Sequence, residues 1–184
     1  MTPAEILRAG SFGGTYYRSI YSGLNQTHYK DTDVISEFPS SWFDGLNIKK
    51  MITSNTYDTG VNTYGVKCGE TLDFWEEKQW MRDCDPYGQF QWYCRFYQGR
   101  RCSDDTRQIA RANGVMSSKG RWRNFLINKI VNQGISSGMT ITKCILDKSI
   151  SPKVRQLLQH WGYRLTARDL VSACKAKKID YEVE

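Results

Sequence analysis

The segment 85–105, DPYGQFQWYCRFYQGRRCSDD, constrains the fold of this chain more than any other stretch. Asp85 and Pro86 are typical of a helix start, and Gly99 is typical of the residue just past a helix end. On a helix over 86–99, aromatic side chains fall on two opposite faces, so protein must cover both faces. The pattern predicts a central, buried helix. The rings assigned to the core are Phe90, Trp92, Tyr93 and Phe96.

Similar start and stop signals continue towards the C-terminus. The predicted helix starts are Ser103 with its two following aspartates, Ser118, Ser151 and Thr166, and the predicted ends are Gly114, Gly134, Gly162 and about Lys177. The two aspartates suit the positive end of a helix dipole, so capping is their expected role. Near the N-terminus, Thr2, Pro3 and Gly10 frame one more short helix.

The first third of the chain has a different character. It is rich in Gly, Asn, Thr and Tyr, and GGTYYRSIYS over 13–22 predicts a strand. We therefore predict a mainly α (α+β) fold in a single domain over 1–184. Residues 1–70 form a loop-rich part with short strands, and residues 71–178 form a C-terminal helical bundle around the central aromatic helix.

The formal net charge of the chain is +7, and Lys and Arg cluster over 95–111, 119–123 and 175–178. A basic balance favours polyanionic partners, through counterion release and electrostatic steering. A basic protein without such a partner would have the same composition, so the charge alone leaves both interpretations open.

A narrow polar stripe runs along the aromatic helix. Gln91, Arg95 and Gln98 are spaced i, i+4 and i+7 on an otherwise apolar surface. Amide and guanidinium groups can donate in forked geometry to base edges and phosphates. The alternative is that this stripe only faces water.

The next basic segment, RQIARANGVMSSKGRWRNFLINKI, resembles a helix-turn-helix with Gly114 at the turn. A generic helical hairpin would give part of the same pattern. Taken together, the predicted nucleic-acid-binding residues are Gln91, Arg95, Gln98, Arg100, Arg101, Arg107, Arg111, Lys119, Arg121 and Arg123.

Signals of catalysis, metal binding and membrane insertion are missing from the sequence. No Ser-His-Asp order, phosphate-binding glycine loop or HExxH motif occurs, so no catalytic residue is predicted. The six cysteines form no CxxC pair and only His28 and His160 could assist them, so we predict neither metal nor cofactor. Reduced thiols are expected, although the even number also permits disulfides. Without a signal-peptide pattern or a membrane-spanning run, we expect an intracellular protein, nuclear or cytoplasmic.

The string DPYGQFQWYCRFYQGRRCSDDTRQIAR, with GGTYYRSIYS, YGVKCG, FWEEKQW and KGRWRNFLINK, resembles a family of uncharacterised proteins of fungi, other eukaryotes and large DNA viruses. The resemblance extends from about residue 10 to 170. Members usually have tryptophan at the position of Gln89 and another aromatic residue near Ala112. The resemblance implies an intracellular or viral setting and carries no established activity.

These observations favour a nucleic-acid-binding protein, with DNA ahead of RNA as the partner. Lys and Arg would contact phosphates, and aromatic rings would support them by stacking on unpaired bases. A structural or protein-interaction component, for example in a virion, is one alternative. An enzyme that modifies or repairs nucleic acid is another, and it would require Asp83, Asp85, Asp104 or His160 to converge in one pocket.

Overall fold

Helices dominate the computed structural model, which describes residues 1–184. In chain order they are α1 (Pro3–Ala9), α2 (Asp31–Ser36), α3 (Ile48–Met51), α4 (Leu72–Glu77), α5 (Gln89–Tyr97), α6 (Asp105–Met116), α7 (Arg121–Gln133), α8 (Ile141–Leu146), α9 (Pro152–His160) and α10 (Ala167–Lys177). The single sheet pairs β1 (Ile20–Ser22) with β2 (Thr27–Tyr29) in antiparallel fashion. This confirms the predicted mainly α class with a small β part. None of the helices combines the length and apolar character that a membrane crossing needs.

Several helix ends lie where their capping residues predict. Thr2 caps α1 and Thr166 caps α10, each in a capping box with the acidic residue three positions later. Gly99 and Gly162 adopt positive φ just beyond α5 and α9, as predicted for residues that end helices. The predicted end at Gly114 is wrong, because α6 continues past this residue.

The first hydrophobic core packs aromatic side chains between α1, α5 and the segments that follow α1. Tyr17 and Phe90 are fully buried there. The hydroxyl of Tyr16 donates to the carbonyl of Tyr87 (2.6 Å) and accepts from the backbone N–H of Phe90 (2.9 Å). The strand predicted over 13–22 shortens to β1, because Phe12–Gly14 form a 3-10 turn in which Gly13 and Gly14 have positive φ.

The second hydrophobic core lies among α7, α8, α9 and α10, and Ile130, Leu158 and Leu170 are its buried centre. Arg155 is only 4% exposed. Its guanidinium donates to the carbonyls of Cys144 (2.8 Å) and Ile150 (3.0 Å), which satisfies the backbone between α8 and α9.

A set of buried polar contacts, termed here the polar seam, joins the two cores. It connects Gln156, Gln159 and His160 of α9 with Gly10, Ser11 and Phe12. All three α9 side chains are at most 6% exposed. Since buried polar groups without partners are costly, these hydrogen bonds fix how α9 sits against the end of α1.

The geometry of the polar seam is specific. Gln159 Nε2 donates to the Gly10 carbonyl (2.9 Å), and the Phe12 N–H donates to His160 Nε2 (3.0 Å). The Phe12 and His160 rings stack with centroids 4.0 Å apart. Gly10 has φ +91°, and a Cβ there would lie 2.0 Å from the Val61 carbonyl oxygen, so only glycine fits.

The burial of His160 in the polar seam predicts that the stability of the fold depends on pH. Burial lowers the pKa of His160 to about 3, from an ordinary value of 6.5. Between these values the unfolded chain binds a proton that the folded chain does not, so the free energy of unfolding falls as pH decreases from 6.5 towards 3. When urea unfolding is measured between pH 6.5 and 3, the free energy of unfolding of His160→Gln should fall less than that of the wild type. The control His28→Gln, at an exposed position on β2, should retain the wild-type slope.

Candidate nucleic-acid interface

A cleft of about 710 Å³ opens where the two cores meet. Residues of both cores line it, since Tyr16 and Tyr87 belong to the first core and Trp122 and Val154 pack against the second, and His160 of the polar seam lines it as well. Its aromatic lining consists of Phe12, Tyr16, Tyr57, Trp75, Trp80, Tyr87, Trp122 and Trp161. This site is termed the aromatic cleft.

Helix ends position most of the accessible rings of the aromatic cleft. Trp75 lies on α4, whose start is capped by Thr71. Trp122 lies in the first turn of α7, and Trp161 follows the last residue of α9. Trp75, Trp122 and Trp161 are half-buried, and Trp80 is 46% exposed. Ring surface therefore remains available to a ligand.

Four cations line the aromatic cleft, and they come from four separate segments: Arg18, Lys67, Arg111 and Lys153. None of them forms an ion pair within the protein. Glu70 is the one carboxylate in the lining. The cleft therefore combines flat apolar surface with an excess of positive charge.

Arg111 and Arg18 are half-buried, whereas Lys67 and Lys153 are exposed. The Arg111 guanidinium lies 5.4 Å from the ring centroid of Trp161, and its Nη1 donates to Gln108 Oε1 (3.2 Å). Burial, reinforced by the charge of nearby Arg107, lowers the pKa of Arg111. A half-buried charge without a paired carboxylate is costly, so an anion placed beside it would be stabilised.

The basic residues of the aromatic segment have a different role, because they surround Asp85. This carboxylate is 1% exposed and lies 3.0 Å from Arg95 Nη1 and 2.5 Å from Arg100 Nη2. Arg95 also donates two hydrogen bonds to Glu37, both of 2.8 Å. The predicted N-cap role of Asp85 is thus wrong, and α5 begins at Gln89.

Two further predicted cations pair with acids. Arg107 lies 2.5 Å from Asp104, and Arg123 lies 2.6 Å from Asp169. Four of the residues predicted to contact nucleic acid instead form ion pairs within the protein, namely Arg95, Arg100, Arg107 and Arg123. The connection between α6 and α7 spans 117–120 and does not turn at Gly114, so the generic helical hairpin describes this region.

Of the other residues predicted to contact nucleic acid, one is buried in the protein and four are exposed outside the cleft. Gln91 is fully buried and its Oε1 accepts from the Tyr87 N–H (3.0 Å), so its predicted contact with a base edge is wrong. Four predicted residues are exposed and lie outside the aromatic cleft: Gln98, Arg101, Lys119 and Arg121. Arg111 is the one predicted residue in the cleft.

Sequence patterns missed most of the cleft, because its residues come from positions 12 to 161 and share no local spacing. The abundance of Trp and Tyr was the available signal. The enzyme hypothesis required convergence of Asp83, Asp85, Asp104 or His160, and of these His160 alone lines the cleft. Gln89, a position of departure from the resembled family, also lines it.

Comparison with known proteins adds no neighbour: no protein-family model, curated protein or solved structure matches this chain. The resemblance of the 85–111 string to a eukaryotic and viral family stays a prediction.

The arrangement around Asp85 predicts a large stability effect. Asp85→Asn would leave Arg95 and Arg100 beside a neutral amide, and breaking such a buried pair costs roughly 3–5 kcal/mol. We expect chemical denaturation to report a loss of about that size. Glu37→Gln, at the more exposed partner of Arg95, should cost less than about 1 kcal/mol. Equal losses in the two variants would contradict a central role for Asp85.

Proposed function

We propose that the protein binds nucleic acid, DNA in the first instance, by holding unpaired nucleotides in the aromatic cleft. The observation that carries the proposal is the half-buried guanidinium of Arg111, which lies over Trp161 in an aromatic lining and lacks an acidic partner. Rings and unpaired cations in one groove are the two elements by which proteins bind single strands.

The rings provide stacking surface. Every base has a π-face, and stacking on an aromatic side chain contributes about 1–3 kcal/mol per base. Trp75, Trp122 and Trp161 are half-buried and so are held in place while part of each ring stays accessible. In a duplex the base faces are covered by neighbouring bases, so this lining favours unpaired nucleotides.

The cations provide the contact to phosphate. Arg18, Lys67 and Lys153 line the cleft without carboxylate partners, in contrast to the paired arginines around Asp85. A phosphate near them would release counterions and give salt-dependent affinity. A phosphate that enters the cleft beside Arg111 could accept bidentate hydrogen bonds from its guanidinium.

The size of the aromatic cleft fits this ligand. Its volume of about 710 Å³ lies within the roughly 300–1,000 Å³ of pockets that enclose drug-sized molecules, and nucleotides belong to that size class. Asn55, Thr71 and Gln89 add hydrogen-bonding groups to the walls. Binding has more support than catalysis here, since His160 Nε2 already accepts a hydrogen bond from Phe12.

Arg111→Gln is the direct test. It removes one cation from the cleft, and charged hydrogen bonds contribute about 1.5–3 kcal/mol. We expect the affinity for a short fluorescent single-stranded DNA, measured by anisotropy, to fall roughly 10- to 100-fold. The dependence of log affinity on log salt should become shallower by about one.

Arg101→Gln is the matched control, because Arg101 is an exposed cation outside the cleft. It should lower the affinity no more than about two- to threefold, as expected for a distant charge in salt. Thermal unfolding would verify that both variants are folded. Equal losses at the two positions, or binding of duplex as tightly as single strand, would contradict the proposal.

A further inference from the structure

Two cysteine thiols lie close together at the two ends of the α5 region. Cys84 directly precedes Asp85, and Cys102 directly follows Arg101. Their Sγ atoms and a carboxylate oxygen of Asp85 all lie within 4.8 Å of one another. Neither the nucleic-acid proposal nor the packing of the two cores uses this pair.

A metal ion suits this cluster poorly. The Asp85 carboxylate already accepts hydrogen bonds from Arg95 and from both terminal nitrogens of Arg100. A metal cation would have to displace these guanidinium groups or lie next to two positive charges. Burial and the Asp85 charge also raise the pKa of Cys84 to about 12, which disfavours its thiolate and makes Cys84 a poor first nucleophile as well as a poor metal ligand.

Accessibility distinguishes this pair from the other cysteines. Cys84 and Cys102 are half-buried, whereas the other four, Cys68, Cys94, Cys144 and Cys174, are at most 4% exposed. A disulfide needs the sulfurs about 2.05 Å apart, and rotation about the two Cα–Cβ bonds moves each sulfur by a distance comparable to the remaining gap.

We infer that Cys84 and Cys102 are a modification site, at which a low-molecular-weight disulfide such as glutathione disulfide forms a reversible intramolecular cross-link. The Cys102 thiolate attacks glutathione disulfide and releases one glutathione thiolate, leaving a mixed disulfide on Cys102. The Cys84 thiol then loses its proton, and its sulfur attacks the Cys102 sulfur of that mixed disulfide, which releases the second glutathione. The protein loses two protons and two electrons, and glutathione disulfide leaves as two glutathiones.

The cross-link would enclose the Asp85 ion pairs covalently. In the reduced protein, Cys84 Sγ donates to Asp85 Oδ2 (3.6 Å) and Cys102 Sγ donates to Asp105 Oδ1 (3.3 Å). Oxidation replaces these weak bonds by a closed loop over 84–102, which contains α5, Arg95 and Arg100. Closing a loop of this length restricts the unfolded chain and raises the unfolding temperature.

The test is oxidation of the folded, reduced chain of residues 1–184 with glutathione disulfide, followed by alkylation and mass spectrometry. We expect two of the six thiols to be lost, with the cross-linked peptides mapping to Cys84 and Cys102. Thermal unfolding should shift upward by about 5–10 °C on oxidation. Dithiothreitol should reverse both changes.

Single substitutions make the assignment falsifiable. Cys84→Ser should stop at a mixed disulfide with glutathione on Cys102, Cys102→Ser should leave Cys84 as a free thiol, and neither variant should show a temperature shift. The control Cys68→Ser, at a buried position, should still form the cross-link. Six free thiols after oxidation of the wild type, or a cross-link that maps to any other pair, would overturn the inference.

Discussion

The hydrogen bonding of three α9 side chains to the Gly10–Phe12 backbone is the interaction on which the architecture depends. Each hydrophobic core is built largely from one half of the chain, and the polar seam joins them across their boundary. Because amide and imidazole groups bond only in defined directions, they fix one relative placement where apolar packing alone would permit sliding. That placement brings Phe12 and His160 into the wall of the aromatic cleft.

Two groups of basic side chains differ in their partners: some form ion pairs within the protein, and others line the aromatic cleft without an acidic partner. Arg95, Arg100, Arg107 and Arg123 form ion pairs with buried or half-buried carboxylates, and Arg123 thereby joins α7 to Asp169 of α10. These guanidinium groups are already bound by protein, so removing them for a ligand would leave Asp85 and its counterparts unpaired. The cations that line the cleft form no ion pair within the protein. A net positive charge therefore says less about ligand binding than the location of those cations that lack protein partners.

Features that depend on residues close together in the sequence could be predicted, whereas features that depend on distant residues could not. Caps at Thr2 and Thr166 and the glycines after α5 and α9 act within one turn, so their neighbours in sequence suffice to identify them. The role of Asp85 depends on guanidinium groups ten and fifteen residues away, and the burial of Gln91 depends on packing against the first core. The cleft joins Phe12 to Trp161, and no local pattern specifies that contact. Arg111 was predicted from charge, while its stacking on Trp161 required the fold.

If unpaired bases lie on the rings between the two cores, photo-cross-linking should attach them to those rings. Single-stranded DNA carrying 5-iododeoxyuridine would be irradiated in complex with the full chain, and the modified peptides sequenced by mass spectrometry. We expect cross-links at Trp75, Trp80, Trp122 or Trp161. Tyr21 and Tyr97 are more exposed, at 52% each, and lie outside the cleft. Cross-links confined to those tyrosines or to the basic stretch 175–178 would contradict the account.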